Sequence, residues 1–386
     1  MPAIQPLIGV IGVACLAVAA AYAVLVLMAV LVWQIRRTTK APLQRPPVTI
    51  LKPLYGAEPS LYENLRSFCQ QDYPNYQIVF GVRDRADPAL RVAKRLVAEF
   101  PSLPIEVVVS SEQHGSNRKI SNLVNMIAQA HHDVLAMADS DALVGPDYLT
   151  TVTAPLSDPK VGLVSCIYRS MPTREIWSRL GAMYINEWYM PSVMLAWLFG
   201  HQSYVSGQTL CLRRSTLEAI GGLQAIVNHL ADDYRLGELV RGLGLRIVLS
   251  SYPVKAEHHE RTLDLLMRHE LRWMRTIRVL RPRSFRLIFF TFSLPLAIFG
   301  IVFAAAEPSF ALVPRVLFQI VVVARLALHF VHRLRGNRSL LADLWLLPAR
   351  DLLICWVWCR SFFISRITWR GHEFGVGTDG VMRRLS

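Results

Sequence analysis

The sequence lacks closely paired cysteines. Six cysteines occur in 386 residues, and no two of them form a CxxC motif. Cys355 and Cys359 lie one helical turn apart inside an apolar run, a position typical of packing thiols. Nothing in this pattern indicates disulfide bonds, which fits a reducing compartment.

Acidic residues are also scarce, at 28 against 42 lysines and arginines, and the formal net charge is +14. Nucleic acid, an anionic membrane surface and a phosphate-bearing substrate are three partners that such a charge suggests. No basic stripe stands clear of an apolar run, so we predict no nucleic-acid partner. Most arginines flank apolar runs instead, which favours the membrane: Arg36, Arg37, Arg281, Arg283, Arg333, Arg335 and Arg338.

Charged side chains are absent from residues 1–34. Within this segment, residues 7–33 are long enough to cross a bilayer. A cleaved signal peptide would begin with basic residues and have a shorter apolar core, so we predict a permanent anchor. Basic residues follow in QIRRTTKAPLQR, and by the positive-inside rule they place the next segment in the cytoplasm.

Between residues 46 and 280, short β-branched runs alternate with amphipathic stretches. Strands are predicted at residues 48–51, 77–82, 105–109, 133–138, 161–166 and 245–250. Helices are predicted between the first four strands, at residues 60–70, 89–100 and 119–131. This alternation predicts an α/β fold, in which a mostly parallel sheet is covered by helices on both faces. In such sheets, ligands bind beyond the carboxyl ends of the strands.

The last hundred residues are apolar again. Residues 285–306 and 310–330 are candidate spans, although Arg315 and Arg325 would have to face protein, water or headgroups. Residues 340–370 have basic flanks and polar interruptions, which favours a re-entrant or interfacial helix pair: Pro348, Arg350 and Asp351.

The ends of the apolar runs and of the alternating region predict the domain boundaries. We predict a transmembrane anchor over residues 1–40, a cytoplasmic α/β domain over residues 41–283, and a C-terminal membrane region with a short cytoplasmic tail over residues 284–386.

Residues 172–200 are rich in Trp, Tyr and Met and contain Pro191. They predict a broken helix at the membrane surface or along an apolar cleft, or else a plain core helix.

Two aspartates, Asp139 and Asp141, follow a predicted strand in VLAMADSDALVG. Alternate residues of an extended segment point the same way, so both carboxylates can converge on one hard cation. Mg²⁺ or Mn²⁺ held by few protein ligands keeps coordination positions open for a diphosphate, as a transferase that uses a nucleotide sugar requires. The tripeptide alone is equally well explained as a helix cap or a turn.

Polar residues also follow the second and third predicted strands. Asp84 and Asp87 lie where the base or ribose of a nucleotide would bind, although Asp87-Pro88 is also a good helix cap. Either aspartate can bind while the other caps. Lys119 and Asn122 open the next helix, where phosphate or uridine contact competes with a solvated loop.

Two further clusters lie downstream. Asp232 and Asp233 begin a helix in NHLADDYRLGELV. Capping explains one of them, but the pair also suits a general base, because an acceptor hydroxyl must lose its proton as it attacks an anomeric carbon. The basic helix LLMRHELRWMRTIR fits a membrane-surface helix with snorkelling arginines, or an arginine that contacts a diphosphate beside Trp273.

Seven motifs occur in one order, between residues 48 and 275: TILKPLYGAEPSLYENLRSFCQQDYP, VRDRADPA, NRKISNL, ADSD, SGQTLCLRRSTLEAIGG, LADDY and HELRW. Together they resemble the membrane-bound, inverting glycosyltransferases with a GT-A fold, in families 2 and 21. The resemblance is to the ceramide glucosyltransferases and to the bacterial glycosyltransferases associated with hopanoid biosynthesis. It implies a Rossmann-like GT-A sheet with transmembrane helices at both ends of the chain.

The resemblance also implies roles for individual residues. Asp139 matches the metal and nucleotide-sugar ligand, with Asp141 assisting, and Asp233 matches the catalytic base. Asp87, and with it Asp84, matches the family's first aspartate motif, on the nucleotide. The (Q/R)xxRW motif, which binds substrate, is matched by His269, Arg272 and Trp273. His269 stands where the family often has Gln or Arg, although a histidine also donates hydrogen bonds.

The implied enzyme is a hexosyltransferase of a bacterial inner membrane, with several spans. It takes a UDP-sugar from the cytoplasm and a hydroxylated lipid from the membrane, either ceramide with glucose or a hopanoid polyol with N-acetylglucosamine. A polysaccharide synthase would need more spans, and a polyprenyl-phosphate transferase would bind an anionic acceptor. A non-enzymatic membrane scaffold with a degenerate transferase domain would lack carboxylates that are present here.

Overall fold

The computed structural model describes residues 4–35, 45–56, 58–201, 204–307, 312–336, 339–363, 367–369, 372–377 and 379–384. Its helices are α1 Ile4–Ile35, α2 Leu61–Cys69, α3 Ala89–Glu99, α4 Arg118–Met126, α5 Tyr148–Thr153, α6 Ile176–Tyr184, α7 Met190–Leu198, α8 Arg214–Ala219, α9 Asp232–Gly242, α10 Leu263–Leu280, α11 Pro282–Leu287, α12 Ser293–Ala304, α13 Leu312–Arg335 and α14 Leu347–Ser361. Its strands are β1 Val48–Pro53, β2 Tyr76–Val82, β3 Ile105–Val109, β4 Val134–Met137, β5 Ala142–Leu143, β6 Val161–Pro172, β7 Leu210–Arg213, β8 Arg246–His258, β9 Ile367–Trp369, β10 His372–Val376 and β11 Met382–Arg384. Among the predicted membrane-flanking arginines, Arg36, Arg37 and Arg338 lie outside the described residues.

The chain divides into two units. The sheet unit comprises Arg36–Met171, His201–Glu257 and Ile367–Ser386, and the helical unit comprises Met1–Ile35, Pro172–Gly200 and His258–Arg366. Two segments that the sequence predicts to lie in the cytoplasmic domain, residues 172–200 and 258–283, belong to the helical unit. The predicted domain boundaries themselves stay a prediction.

Within the described part of the sheet unit, eight strands form one sheet in the order β3-β2-β1-β4-β7-β6-β8-β5. β1 pairs in parallel with β2 and β4, and β2 pairs in parallel with β3. β7 pairs antiparallel with β4 and β6, and β5 pairs antiparallel with β8. The predicted α/β alternation is confirmed, and the complete sheet is mixed because its second half adds antiparallel strands.

The core of the sheet unit forms where alternate strand residues meet the covering helices. Ile50 in β1 and Phe80 in β2 are fully buried, as is Phe68 in α2, which packs edge-on against Tyr148 with ring centroids 5.5 Å apart. The amphipathic face of α3 adds Ala93 to the same cluster. Burial on both faces explains the continuous apolar runs of these strands.

Among the described helices, two are long and apolar enough to cross a membrane, over Gln5–Ile35 and Leu312–Leu334. The predicted span at residues 285–306 is broken instead, because the axes of Pro282–Thr291 and Ser293–Ala304 differ by 68°. Pro295 accounts for the break, since its ring would clash with the carbonyl four residues earlier in a continuous helix. If the bent pair counts as one span, the described residues hold up to three.

Close helix packing in the helical unit depends on glycine. A Cβ on Gly12 of α1 would lie 2.3 Å from the backbone nitrogen of Ala304 and 2.7 Å from the carbonyl oxygen of Gly300. Small residues at such a contact allow two apolar helices to approach backbone to backbone. Leu16 in α1 and Ala297 in α12 complete this buried contact.

The predicted broken helix at residues 172–200 consists of consecutive helical segments. α6 passes through a π-helical turn at Ile185–Tyr189 into α7. Pro191 lacks the N–H that would bond four residues back, which explains why the helix widens just before it. Leu180 and Met183 pack with Leu266, so this face belongs to the core of the helical unit.

Candidate functional site

The two aspartates Asp139 and Asp141 lie in the turn between β4 and β5. The backbone N–H of Ala142 donates to the Asp139 carbonyl at 3.3 Å, which closes this turn. The next helix, α5, begins at Tyr148 with Asp147 at its N-cap. The helix-cap interpretation of the DxD tripeptide is therefore wrong, whereas the turn interpretation agrees with the structure. The two carboxylates stand at the carboxyl end of a central strand.

Lys119 joins two aspartates that are far apart in the sequence. Its Nζ lies 2.6 Å from Asp139 Oδ1 and 3.3 Å from Asp232 Oδ2. Burial opposes the charge on Lys119, but Asp139 and Asp232 raise its pKa above the ordinary value. The Asp139 side chain keeps 31% of its surface exposed, so a ligand can still reach it.

Asn117 positions this lysine. Its side-chain oxygen caps α4 by accepting the N–H groups of Lys119 at 3.0 Å and Ile120 at 3.1 Å. Its side-chain nitrogen donates to the His229 carbonyl at 2.9 Å and to Asp232 Oδ1 at 3.3 Å. One fully buried amide therefore connects the starts of α4 and α9.

Asp233 is held by two backbone amides. Its Oδ2 accepts from the Gly207 N–H at 3.0 Å, and its Oδ1 accepts from its own neighbour Tyr234 at 2.7 Å. Ala231 occupies the N-cap of α9, so neither member of the Asp232-Asp233 pair stands at the cap. Burial raises the pKa of Asp233 to about 7, with a further contribution from the charge of Asp232. A carboxylate with such a pKa suits proton transfer near neutrality.

Gly207 contacts both Asp139 and Asp233, and the sequence did not predict it as a site residue. A Cβ at this position would come within 2.9 Å of both Asp139 Oδ2 and Lys119 Nζ. The Gly207 carbonyl also accepts from the Asp139 N–H at 3.3 Å. The residue belongs to the motif SGQTLCLRR, which contributes to the family resemblance but gives this glycine no role of its own.

Asp141 faces a different set of neighbours. Gln208 Nε2 donates to both of its oxygens, at 3.2 and 3.4 Å. Burial raises the pKa of Asp141 to about 7, and the charges of Asp139 and Glu58 add to the effect. Three carboxylates near one another repel, and a cation among them would relieve this repulsion.

Lys52 is a second residue that sequence reasoning missed. It is fully buried in β1, its Nζ donates to the Asp139 carbonyl, and it lies 3.7 Å above the Phe68 ring. Burial lowers its pKa to about 7. A lysine inside the buried run VTILKP was the available signal, because lysine is almost never fully buried without a partner.

The predicted metal ligands fit a divalent cation with few protein ligands. Among the described residues, no three His, Cys, Asp or Glu side chains cluster as a ready-made metal site. Asp139 and Asp141 stay the predicted ligands, and water and phosphate oxygens would fill the remaining coordination positions of a cation held by two carboxylates. Gln208 Oε1 is buried without a hydrogen-bond partner in the described structure, which fits a site completed by a ligand.

The two aspartates after β2 differ in environment. Asp87 accepts the N–H of Ala89 at 2.9 Å, which caps α3, and its two oxygens accept the N–H of Gly56 at 3.0 and 3.1 Å. Asp84 accepts the N–H of Ala86 at 2.8 Å and is exposed. This geometry favours Asp87 as the cap and Asp84 as the nucleotide contact, which stays a prediction.

Asn122 packs against the neighbouring strand. Its Nδ2 donates to the Gly81 carbonyl of β2 at 2.8 Å, and the residue is buried. This contact fixes α4 on the sheet, and its predicted substrate contact stays a prediction.

The motif residues His269, Arg272 and Trp273 belong to α10 in the helical unit. His269 Nδ1 lies 2.8 Å from Glu260 Oε1, and burial lowers the pKa of this histidine. The Trp273 ring lies 3.9 Å from the His269 ring and stacks on Tyr184 at 5.4 Å. Glu260, missed in the sequence, thus orients the histidine, while the predicted substrate contacts of the motif remain predictions.

Comparison with known proteins shows which family and which relatives this chain is similar to. The model of glycosyl transferase family 21 matches residues 12–382. Ceramide glucosyltransferase 1 of Caenorhabditis elegans is 25% identical over 212 residues, which are 54% of this chain and 45% of the relative. The ceramide glucosyltransferase of Komagataella phaffii is 30% identical over 113 residues, or 28% of this chain and 22% of the relative. The matches thus span about half the length of these curated relatives or less.

Among solved structures, the mannosyltransferase PcManGT from Pyrobaculum calidifontis, in complex with GDP-Man and Mn²⁺, is similar in fold. The match has a TM-score of 0.53 at 20% identity and covers 89% of this chain and 99% of that chain. The likeness confirms the predicted GT-A fold.

Proposed function

The chain belongs to glycosyl transferase family 21 and is a glycosyltransferase, and on that premise we propose its reaction. It transfers a hexose, glucose or N-acetylglucosamine, from a UDP-sugar to a hydroxyl of a membrane lipid, with inversion at the anomeric carbon. A single displacement of this kind needs one base, which accepts the proton of the attacking hydroxyl.

Asp233 carries the proposal. It is a carboxylate whose pKa burial raises to about 7, so a large fraction is deprotonated near neutral pH and still basic enough to accept a proton. The Gly207 N–H holds its Oδ2 at 3.0 Å. This fixed orientation leaves the second lone pair of that oxygen for an acceptor hydroxyl.

Asp139 and Asp141 would hold Mg²⁺ or Mn²⁺, as the crowding of carboxylates around Asp141 supports. When bound, the cation supplies positive charge that neutralises the diphosphate leaving group. Lys119 holds Asp139 through an ion pair of 2.6 Å. Its Nζ is also a permanent positive charge, within reach of a phosphate that binds at Asp139.

The lipid acceptor is supported by the helices that are apolar enough to cross a membrane, over Gln5–Ile35 and Leu312–Leu334. We place the protein in a bacterial inner membrane with the sheet unit in the cytoplasm, where UDP-sugars occur. The matched relatives are ceramide glucosyltransferases, which supports ceramide with glucose. The motif order also resembles hopanoid-associated enzymes, which supports a hopanoid polyol with N-acetylglucosamine.

One experiment separates these substrates. Membranes that contain the protein are incubated with UDP-glucose or UDP-N-acetylglucosamine and with ceramide, bacteriohopanetetrol or undecaprenyl phosphate, and products are identified by mass spectrometry. We expect one hexose on a neutral lipid, with inverted anomeric configuration by NMR. A product on undecaprenyl phosphate, or a polymer, would establish the polyprenyl-phosphate or polysaccharide-synthase alternative, and no product with any acceptor would support the scaffold.

A further inference from the structure

The loop before α9, residues 227–231, leads directly into the proposed base. It connects a short 3₁₀ turn at Leu223–Ile226 to α9, which begins at Asp232. Ala231 occupies the N-cap of α9, and its methyl side chain cannot accept the N–H groups of the first turn. The direction in which α9 starts, and with it the position of Asp233, therefore depends largely on how this loop is held.

One edge of the loop is bonded to residues at the start of α4. The N–H of Asn117 donates to the Val227 carbonyl at 2.8 Å, and the side-chain nitrogen of Asn117 donates to the His229 carbonyl at 2.9 Å. The N–H of Ser116 donates to the side-chain oxygen of Asn228 at 2.9 Å. These bonds fix the loop from one side.

The other edge of the loop is bonded to the hairpin formed by β10 and β11, which belongs to the same sheet unit. The N–H of Leu230 donates to the Gly380 carbonyl at 3.0 Å. The N–H of Met382 donates to the Asn228 carbonyl at 2.8 Å. The loop is therefore bonded along both edges, like an inner strand of a sheet.

The hairpin is itself well fixed where it meets the loop. Gly380 has a φ of 77°, a backbone conformation that favours glycine. The Asp379 side chain accepts the N–H of Val381 at 3.1 Å. Phe374 in β10 and Met382 in β11 are buried, so the hairpin is anchored by packing as well. It therefore presents its backbone donor and acceptor to the loop in a defined geometry.

We propose that the hairpin formed by β10 and β11 is a positioning element of the transfer site, whose backbone holds the loop before α9 so that Asp233 keeps the direction that a base needs. The inference rests on the proposed role of Asp233 in transfer. It gives the hairpin no contact with substrate, and it requires the hairpin to stay on the loop throughout turnover. Because a small displacement of a reacting group costs about 10²-fold in rate, two backbone bonds at this loop can control kcat.

The first test removes one of these backbone bonds. Met382→Pro removes the N–H that donates to Asn228, whereas Met382→Ala shortens the same side chain and keeps that N–H. Transfer is measured with full-length protein in nanodiscs. We expect Met382→Pro to lower kcat about 10- to 100-fold and Met382→Ala to keep most of it. The KM for the UDP-sugar should change far less than kcat, because the proposed metal ligands Asp139 and Asp141 lie in a different turn.

The second test restores the contact with a covalent bond. His229 and Val381 face each other as an antiparallel pair, and the two backbone bonds flank them, so their Cα atoms should lie about 4.5 Å apart. A disulfide can span this distance. His229→Cys/Val381→Cys should form the disulfide on mild oxidation and turn over like wild type in both redox states. Wild type, whose described cysteines are free, is the control for the oxidant.

In the same background, Met382→Pro should be slow when the engineered disulfide is reduced and should regain most of kcat when it is oxidised. Both redox forms are assayed at a temperature at which thermal unfolding shows them to be fully folded. Under that condition a hairpin that only adds stability would leave kcat unchanged by oxidation, whereas a hairpin that positions Asp233 would restore it.

Amide hydrogen exchange gives a measurement that needs no acceptor lipid. Exchange in residues 227–233 should be about tenfold faster or more in Met382→Pro than in Met382→Ala, because the loop then opens locally. Exchange in α3, Ala89–Glu99, should be equal in the two variants.

The outcomes separate the inference from the proposed function. Wild-type kcat in folded Met382→Pro, or no recovery on oxidation, would overturn the positioning role. Loss of turnover in oxidised His229→Cys/Val381→Cys would overturn it as well, because the hairpin would then have to leave the loop. If wild type transfers no hexose to any lipid, the proposed function fails, whereas faster exchange in Met382→Pro would still support the hold of the hairpin on the loop and unchanged exchange would refute it.

Discussion

The backbone N–H of Gly207 donates to Asp233 Oδ2 at 3.0 Å. The carbonyl of the same residue accepts the N–H of Asp139 at 3.3 Å. The backbone of one glycine therefore contacts both the proposed base and the proposed metal ligand. A Cβ on this residue would lie 2.9 Å from both Asp139 Oδ2 and Lys119 Nζ, so these side-chain ends would have to shift to admit it.

Gly207→Ala should lower kcat about 10- to 100-fold, because a small displacement of reacting groups costs this much. The added methyl group must push away either the Asp139 carboxylate or the Lys119 ammonium. Gly242→Ala is the matched control, since a Cβ there meets nothing within 4 Å, and it should keep wild-type kcat. Equal kcat in the two variants would show that the Gly207 contact is not needed for turnover.

Asp233→Asn should lower transfer by about 10²- to 10⁴-fold, the usual contribution of a general base, while UDP binding and the thermal unfolding temperature stay near wild type. The asparagine keeps the shape and can still accept from Gly207, but it accepts no proton. Asp158→Asn changes a half-exposed carboxylate that pairs with Arg246 and serves as the control. Turnover retained in Asp233→Asn would remove the base assignment.

The pH profile should have an acid limb near pH 7. The pKa of Asp233 is raised to about 7, so below that pH the carboxyl is protonated and accepts no proton. Log kcat/KM should therefore rise with unit slope up to about pH 7 and then level off. Asp141 also has a pKa raised to about 7, and its protonation would weaken metal binding.

Metal concentration distinguishes the two carboxylates in this profile. A limb caused by Asp141 should move to lower pH as Mg²⁺ is raised, because metal and proton compete. A limb caused by Asp233 should stay in place at saturating metal. Rates measured from pH 5 to 9 at two Mg²⁺ concentrations give the answer, and a profile flat across pH 7 at both would contradict the raised pKa of Asp233.

Transfer should require a divalent cation. We expect EDTA to abolish activity, added Mg²⁺ or Mn²⁺ to restore it, and Asp139→Ala to remove both activity and metal-dependent UDP binding, because Asp139 is the first of the two proposed metal ligands. Isothermal titration calorimetry of UDP binding with and without Mn²⁺ measures the loss of metal-dependent UDP binding. Full activity in chelator would refute the metal site.

Lys52→Met should stabilise the protein most near pH 7 and least near pH 10. Burial lowers the pKa of Lys52 to about 7, whereas the pKa of a lysine in the unfolded chain is about 10.4. Between these values the unfolded state binds more protons, so the stability of the wild type rises with pH and falls toward pH 7. Methionine does not titrate, so it removes this pH dependence. Thermal unfolding of both proteins in detergent from pH 7 to 10 should show that the difference between their unfolding temperatures shrinks as the pH rises.

Several features of the fold could be predicted because local patterns specify them. The apolar runs of β1 to β4 and the amphipathic stretches of α2 to α4 have the periods that burial on a sheet imposes. The seven ordered motifs indicated the family, which the match over residues 12–382 confirms. The position of Asp139 just beyond a central strand followed from the same alternation.

The C-terminal strands were missed because they carry short, mixed sequences with no clear period. The backbone of Leu230 donates to the Gly380 carbonyl at 3.0 Å, and that of Met382 donates to the Asn228 carbonyl at 2.8 Å. A segment predicted as a short tail thus pairs with the loop that leads into Asp232 and Asp233. These two bonds join residues that are 150 and 154 positions apart, which no local pattern encodes.

The sequence by itself determined the family, the alternation of strands and helices, the long apolar helices, and the carboxylates available for chemistry. Tertiary structure decided which of these groups meet. It inserted β7 antiparallel beside β4, which brought Gly207 against Asp139 and Asp233, and it placed the buried Lys52 at the Asp139 carbonyl. The physical reason is the distance along the chain over which each kind of information acts. Sequence periodicity reflects the burial of neighbouring residues, whereas hydrogen bonds and ion pairs between distant segments form only when the chain folds.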